Sequence, residues 1–329
     1  MGLDPVTAAY RGAAAYSRAV PLPVAGLTAR VLSRAAATVS RERRMLVARH
    51  LRRAAGPDLQ GRALDQAVDA TFDSYARYWI ESFRLPGTSP EVLDAGMHVT
   101  GYEHVDAALD QGDGVILALP HLGGWEWAGF WLTQVKQVRV TVVVEPVEPP
   151  DLFEFFAAFR RQLGMEIVPL GPGAGTEVIR ALKDNHVVAL LCDRDINGDG
   201  IEVDFFGERT TVPAGPAALG LRTGAPVLPT AVYFDGSRHH GRVEAPLDTT
   251  RQGKLRADVQ RVTDDLVAWL ETLIRAAPEQ WHLQQPNWPS DYDALEAIGK
   301  AHPRPLHGPA SAAAAAEAAA ARSAPGGEG

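Results

Sequence analysis

Val115-Ile116-Leu117-Ala118-Leu119-Pro120-His121-Leu122-Gly123-Gly124-Trp125-Glu126-Trp127-Ala128-Gly129-Phe130 is the stretch that decides the fold. Its first five residues form an apolar run with no polar alternation, as a strand buried on both faces requires; such strands belong to parallel-dominated sheets covered by helices. Gly123 and Gly124 permit a sharp turn, and Trp125 onward reads as the start of a covering helix. His121 and Glu126 therefore fall at the carboxyl edge of a strand, where open α/β sheets bind their ligands.

The same pattern repeats outward. Val138–Val144, Glu166–Leu170, Val187–Cys192 and Val227–Phe234 are further short runs rich in Val, Ile and Leu, and Trp125–Val135, Leu152–Leu163, Thr176–Asn185 and Pro213–Thr223 are long enough for crossover helices. The expected fold is α/β: a central parallel-dominated mixed β-sheet flanked by helices, in one domain over residues 1–300. Upstream, Leu27, Val31, Ala35 and Val39 recur four apart with Arg30 and Arg34 off that row, predicting an amphipathic helix over 27–39. Leu64, Val68, Phe72 and Tyr75 predict a second helix over 63–84, facing the core. The face of the first helix could cover the protein's own core or lie on lipid. Residues 301–329 collapse into Pro, Gly and Ala with no apolar face beyond methyl groups, and are expected to be a disordered tail.

With 329 residues, 46% of them hydrophobic, the chain can bury a sizeable core. The single cysteine, Cys192, excludes a disulfide framework and suits a reducing compartment. No uninterrupted apolar run reaches the length of a membrane span, about 18 residues. Asp4, Pro5, Arg11 and Arg18 do not suit a signal peptide. The net charge of -8 conceals an asymmetry: residues 1–53 hold ten arginines against Asp4 and Glu42 alone. A basic, helical arm on an acidic body suggests an anionic surface as partner. Among those arginines only Tyr10 and Tyr16 offer the stacking that nucleic acid would want, so an anionic membrane is expected and nucleic acid is not.

The chemistry gathers at two strand ends. Residues five apart on one continuous helix point about 140° away from each other; His121 must therefore sit in the turn and Glu126 in the first helical turn, where the helix dipole favours a carboxylate that can orient the imidazole. The run Val187–Cys192 ends in Asp193-Arg194-Asp195. In a parallel sheet it emerges on the His121 edge, where a carboxylate could accept the imidazole Nδ1–H and leave Nε2 free to take a proton from an alcohol. A histidine beside proline and two glycines is also a common turn residue, and strand-end acids also cap helices. No metal site is expected, because His121 and Glu126 lack the spacing of His-Glu-x-x-His and no His or Cys cluster completes a ligand set. No Gly-x-Ser-x-Gly elbow marks a serine hydrolase. Gly171-Pro172-Gly173-Ala174-Gly175-Thr176 reads as a glycine turn opening a helix.

The block Pro120–Glu126 resembles the HX4D/E motif of glycerolipid and lipid A acyltransferases. An ordered set of further blocks is similar to the phosphatidylinositol mannoside acyltransferases of actinobacteria: Ser74–Trp79 with Phe83–Pro86, Asp193-Arg194-Asp195, Val203–Glu208, Pro213–Ala217, and Trp281-His282-Leu283 with Gln285-Pro286. The resemblance implies a glycerolipid-acyltransferase-like fold and a peripheral enzyme at the cytoplasmic face of the cell membrane. It also implies palmitoyl-CoA as donor substrate, with no cofactor, and a mannose 6-hydroxyl of a phosphatidylinositol mannoside as acceptor. By the same resemblance His121 is the general base, Asp193 holds the acidic relay position, and Arg160 in Phe159–Gly164 lies near the acyl-CoA. Close members carry Asp at the position of Glu126 and Glu at that of Asp193, so the reach of the two carboxylates is exchanged here. Backbone N–H groups around Gly123–Trp125 are expected to face the oxyanion. The alternatives are acylation of a lipid A precursor or of glycerol phosphate, and a non-catalytic lipid-binding protein.

Overall fold

The computed structural model describes residues 4–196, 198–300 and 302. Four helices open the chain: α1 (Pro5–Ala19), α2 (Leu22–Val39), α3 (Arg41–Ala55) and α4 (Gly61–Arg84). Then follow α5 (Pro90–Ala95), β1 (Met97–Thr100), α6 (Tyr102–Gln111), β2 (Val115–Leu119), α7 (Trp125–Gln134), β3 (Val140–Val144), α8 (Pro150–Gln162), β4 (Met165–Pro169), α9 (Ala174–Lys183) and β5 (Val187–Leu191). The chain continues with β6 (Ile201–Phe205), β7 (Glu208–Val212), α10 (Gly215–Thr223), β8 (Val227–Asp235), β9 (Arg238–Val243), α11 (Leu255–Arg275) and α12 (Pro289–Ala297).

The central sheet has seven strands in the order β1-β9-β8-β2-β5-β3-β4, parallel at every neighbouring pair except β8 and β9; β6 and β7 form a separate hairpin. The expected α/β class and the five expected strands are present. The run 138–144 begins as a strand only at Val140, and the run 166–170 is shifted to Met165–Pro169. Every residue of β2 is buried, which is why its sequence lacks alternation. Ile116, Ala118, Val188 and Leu190 face a core shared with α9, α10 and α11; Leu117, Leu119, Val140 and Val232 face a second core beneath α7.

The amino-terminal arginines are only partly free. Helices α1, α2 and α3 pack on α4, and half of the ten arginines pair with acids of the protein itself. Arg34 reaches Asp73 through Nε at 2.9 Å, Arg30 approaches the same carboxylate at 3.6 Å, and Arg44 binds Asp69 at 2.7 Å. Arg49 and Arg53 reach across to Asp291 and Glu208. The row Leu27, Val31, Ala35 and Val39, in contrast, faces outward on α2: Leu27 is 62% exposed, Val31 58% and Val39 87%, with Leu32 beside them. Packing on α4 uses the opposite face through Ala25 and Ala37. The tail expected from residue 301 onward lies, His302 apart, outside the described residues.

One buried carboxylate fastens this helical layer to the carboxyl end of the chain. Asp291 is fully buried. Its Oδ1 lies 2.7 Å from Arg49 Nε and 2.9 Å from Arg53 Nη1; its Oδ2 faces His50 Nε2 at 3.1 Å and accepts from the backbone N–H groups of Asn287 and Trp288. Burial pushes the Asp291 carboxyl pKa up, but His50 and the two guanidinium groups outweigh it and hold it well below the ordinary carboxylate range. Because the folded pKa lies below the unfolded one, this stabilisation is present at neutral pH and is lost as the pH falls below about 4 toward the folded pKa. Asp291→Asn, which leaves the guanidinium groups uncompensated, should lower stability in urea melts by about 3 kcal/mol at neutral pH. The deficit should shrink as the pH falls below about 4, where the carboxyl of the unfolded wild-type chain takes up a proton that the folded one does not; a deficit that stays constant into acid would show that the carboxylate's charge contributes nothing.

Candidate active site

Parallel strands β2 and β5 are in register, Leu119 beside Leu191, so the residues that follow them leave the sheet side by side. His121 and Asp193 meet there. Asp193 Oδ1 lies 2.7 Å from His121 Nδ1, and Oδ2 accepts from the His121 backbone N–H at 3.1 Å and from the Trp281 indole N–H at 2.7 Å. Asp193 is fully buried. Burial raises its pKa, but the His121 imidazole and the N–H donors more than offset this, so it titrates below the usual value and is ionised. An ionised carboxylate only accepts, which puts an imidazole hydrogen on Nδ1, so the neutral form of the ring has its lone pair on Nε2. His121 Nε2 makes no hydrogen bond among the described residues, and the side chain is 29% exposed.

The turn that holds His121 is over-determined by backbone pairing. His121 O accepts from His282 N at 2.7 Å, Gly123 N donates to Gln280 O at 2.9 Å, and Gly124 N donates to Val232 O at 3.1 Å. Gly123 has φ 60°, and a Cβ there would lie 2.0 Å from Val232 O, so this position admits glycine alone. These bonds correct one expectation: the N–H groups of Gly123 and Gly124 are engaged and cannot face an oxyanion. The first N–H groups of α7, on Trp125 and Glu126, have no carbonyl one turn back and are the ones left to do so.

Glu126 also differs from its expected place. It is buried, but it turns to α8 rather than to His121: both Arg160 Nε, at 3.0 Å, and Arg160 Nη2 bind its Oε1, and the Tyr78 hydroxyl donates to the same atom at 3.3 Å. Burial disfavours the Arg160 charge, yet the Glu126 carboxylate outweighs it and keeps the guanidinium pKa raised. Within α7 the rotation of about 100° per residue carries Glu126 away from the turn and onto the wall shared with α8. The carboxylate that orients the imidazole is Asp193; the one that holds Arg160 is Glu126.

His121, Glu126 and Arg160 all line a single cavity of about 370 Å³ between α7, α8 and the sheet. Its walls are apolar: Leu117 and Leu119 of β2, Val140, Val142 and Val144 of β3, Phe153 and Phe156 of α8, capped by Tyr10 of α1, whose ring meets Trp79 and Phe156 edge-on at 5.3 Å. Sequence reasoning missed Trp281 and His282 as parts of this site, because neither stands on a periodic element; their only signal was a motif block without a role. His282 is buried against Trp125 and Tyr78, with Nε2 2.8 Å from Ser74 Oγ. Burial, reinforced by neighbouring His121, pushes its pKa down to about 3, so it stays neutral beside the candidate base.

Comparison with known proteins shows the family. The model of the bacterial lipid A biosynthesis acyltransferase family matches residues 5–290. The phosphatidylinositol mannoside acyltransferase of Mycobacterium tuberculosis is 40% identical over 232 residues, 69% of this chain and 72% of that protein. The protein of the same name from Mycolicibacterium smegmatis is 40% identical over 230 residues, 69% of this chain and 74% of that one. The chain belongs to the bacterial lipid A biosynthesis acyltransferase family and is an acyltransferase.

Proposed function

We propose that this enzyme transfers a fatty acyl group, palmitoyl, from acyl-CoA to the 6-hydroxyl of a mannose in a phosphatidylinositol mannoside, working as a peripheral protein at the cytoplasmic face of the membrane. The observation that carries the reading is the His121–Asp193 pair at the mouth of an apolar cavity. A sugar hydroxyl is a poor nucleophile near neutral pH, and a base that removes its proton during attack is worth roughly 10²–10⁴ in rate. His121 Nε2 takes that proton as the hydroxyl oxygen bonds to the thioester carbonyl carbon. The carbonyl electron pair moves onto oxygen, beside the N–H groups that open α7. When the tetrahedral intermediate collapses, the C–S bond breaks and the thiolate takes the proton back from His121. Its unperturbed pKa of about 8.5 makes it a good leaving group, so no covalent enzyme intermediate is needed. Arg160, fixed by Glu126, lines the donor side. The mannoside acceptor is suggested by the names of the mycobacterial relatives, and the lipid A description of the family makes a lipid A precursor the alternative to test.

Mass spectrometry of products formed from palmitoyl-CoA and a panel of acceptors should give a palmitoylated phosphatidylinositol mannoside, with the new ester on the mannose 6-oxygen. Product formed only from a lipid A precursor or from glycerol phosphate would reassign the acceptor.

The base and its orienter separate by mutation. His121→Ala should stay folded and lose at least about a hundredfold in turnover. Asp193→Asn should lose a similar factor for a specific reason. Two N–H donors converge on Oδ2, so the Asn carbonyl would settle there and its NH₂ would face His121 Nδ1, forcing the imidazole hydrogen onto Nε2. Glu126→Gln leaves Arg160 buried without its counter-charge and should appear first as lost stability, about 3 kcal/mol. Near-normal turnover by folded His121→Ala would remove the mechanism, and an activity loss without a stability loss in Glu126→Gln would give Glu126 a direct role.

Membrane attachment is assigned to the outer face of α2. Leu27, Val31 and Leu32 are exposed together, and Arg11, Arg18 and Arg41 of the same helical layer make no ion pair among the described residues. Apolar insertion would be assisted by about 1 kcal/mol per basic side chain near an anionic leaflet. Replacing Leu27, Val31 and Leu32 by Gln should release the protein from vesicles containing anionic phospholipid while sparing turnover of a detergent-dispersed acceptor. Flotation unchanged in that variant would place the membrane contact elsewhere.

A further inference from the structure

The apolar cavity has a direction. Strands β2, β5, β3 and β4 run the same way, so the layer of Val115, Val187, Val140 and Met165 lies at the edge opposite His121. Helix α7 starts at the His121 edge and runs back down, lining the cavity with Ala128 and Gly129 and then with Leu132. Helix α8 descends likewise, and the chain turns at Leu163 and Gly164 into β4, whose first residue is Met165. The cavity therefore ends on Leu132, Val140 and Met165, four residues of β3 below Val144, a depth of about 13 Å.

At that floor two residues fit each other. A Cβ on Gly129 would lie 2.5 Å from Met165 Cε and 3.5 Å from Sδ. Gly129 sits inside α7 without a positive φ, so its backbone does not call for glycine. Glycine is disfavoured relative to alanine inside a helix; what its missing side chain supplies here is room for the Met165 methyl. Met165 is buried, unbranched and flexible, in a floor otherwise made of branched Leu132 and Val140.

We propose that Met165, seated against Gly129, closes the acyl pocket and sets the longest chain the enzyme transfers. The inference rests on the acyl-donor reading above. A growing chain is stopped when its terminal methyl meets the Met165 thioether, and the position of that thioether is fixed by the absence of a side chain at 129.

The experiment measures kcat/KM of the full chain for saturated acyl-CoA thioesters from dodecanoyl to eicosanoyl, with one acceptor, for wild type, Met165→Ala and Gly129→Ala. Ratios between donors are taken within one preparation, so any loss of folded enzyme cancels. Met165→Ala opens the floor and should move the optimum to longer chains. Gly129→Ala pushes the Met165 methyl into the cavity and should move it to shorter ones. One methylene in an apolar pocket is worth roughly 10–200-fold in discrimination, so the long-to-short ratio should rise at least about tenfold in the first variant and fall by a similar factor in the second. The same optimum and ratio in all three proteins would overturn the assignment of Met165 while leaving the donor reading intact. Failure of wild type to turn over any of these thioesters would overturn the donor reading and this inference with it.

Discussion

The Asp193 carboxylate is the constraint around which the site is assembled. A fully buried carboxylate survives ionised only where donors replace the water it has lost. Here the donors come from the His121 ring, the His121 backbone and the Trp281 indole. Those groups belong to the turn after β2 and to the segment that follows α11, so satisfying one buried charge fixes the relative position of three distant stretches. The Asn287 side chain adds to this by donating to the Asp193 carbonyl. A histidine bound to one carboxylate through both its ring Nδ1 and its backbone N–H is fixed in orientation, and its other ring nitrogen is presented to the cavity with little reorientation needed during the reaction.

The remaining buried charges follow the same rule in separate places. Glu126 and Arg160 join α7 to α8 across the cavity wall, and Asp291 joins α3 to α12 through Arg49, His50 and Arg53. Both sets of bonds act at helix contacts, where directed hydrogen bonds add to apolar packing. Glu126 and Arg160 tie α8 to α7 beside the cavity, where Phe153 and Phe156 close one side.

In the amino-terminal helices, composition overstates the free charge. Ten arginines in 53 residues suggest a free basic surface, but an arginine contributes to an external field only if nothing nearby neutralises it. Asp69, Asp73, Glu208 and Asp291 do neutralise half of them. What the fold leaves outside on α2 is an apolar row, because the small residues Ala25 and Ala37 on the opposite face allow close packing on α4.

Local sequence was sufficient for whatever depends on burial periodicity. The unbroken run Val115–Leu119 specified a strand buried on both faces, the four-residue spacing of Leu27, Val31, Ala35 and Val39 specified a helix, and Gly123-Gly124 specified the turn that carries His121. The parallel sense of the sheet then sufficed to bring Asp193 to the same edge, since both residues follow strands by one or two positions. The partners across the fold were not legible. Which way Glu126 points depends on the rotation of α7 against α8, and the arrival of Trp281 and His282 depends on a chain that returns after α11; neither leaves a periodic trace. The strands β1 and β9 escaped for a related reason. Their alternating polar residues, such as His98 and His240, look like loop until another strand pairs with them. The sequence by itself determined the α/β layers and the candidate base, because these are set by each segment's own apolar pattern. Only the tertiary structure decided which carboxylate serves His121 and which serves Arg160, because that depends on side chains far apart in sequence competing for the same buried donors.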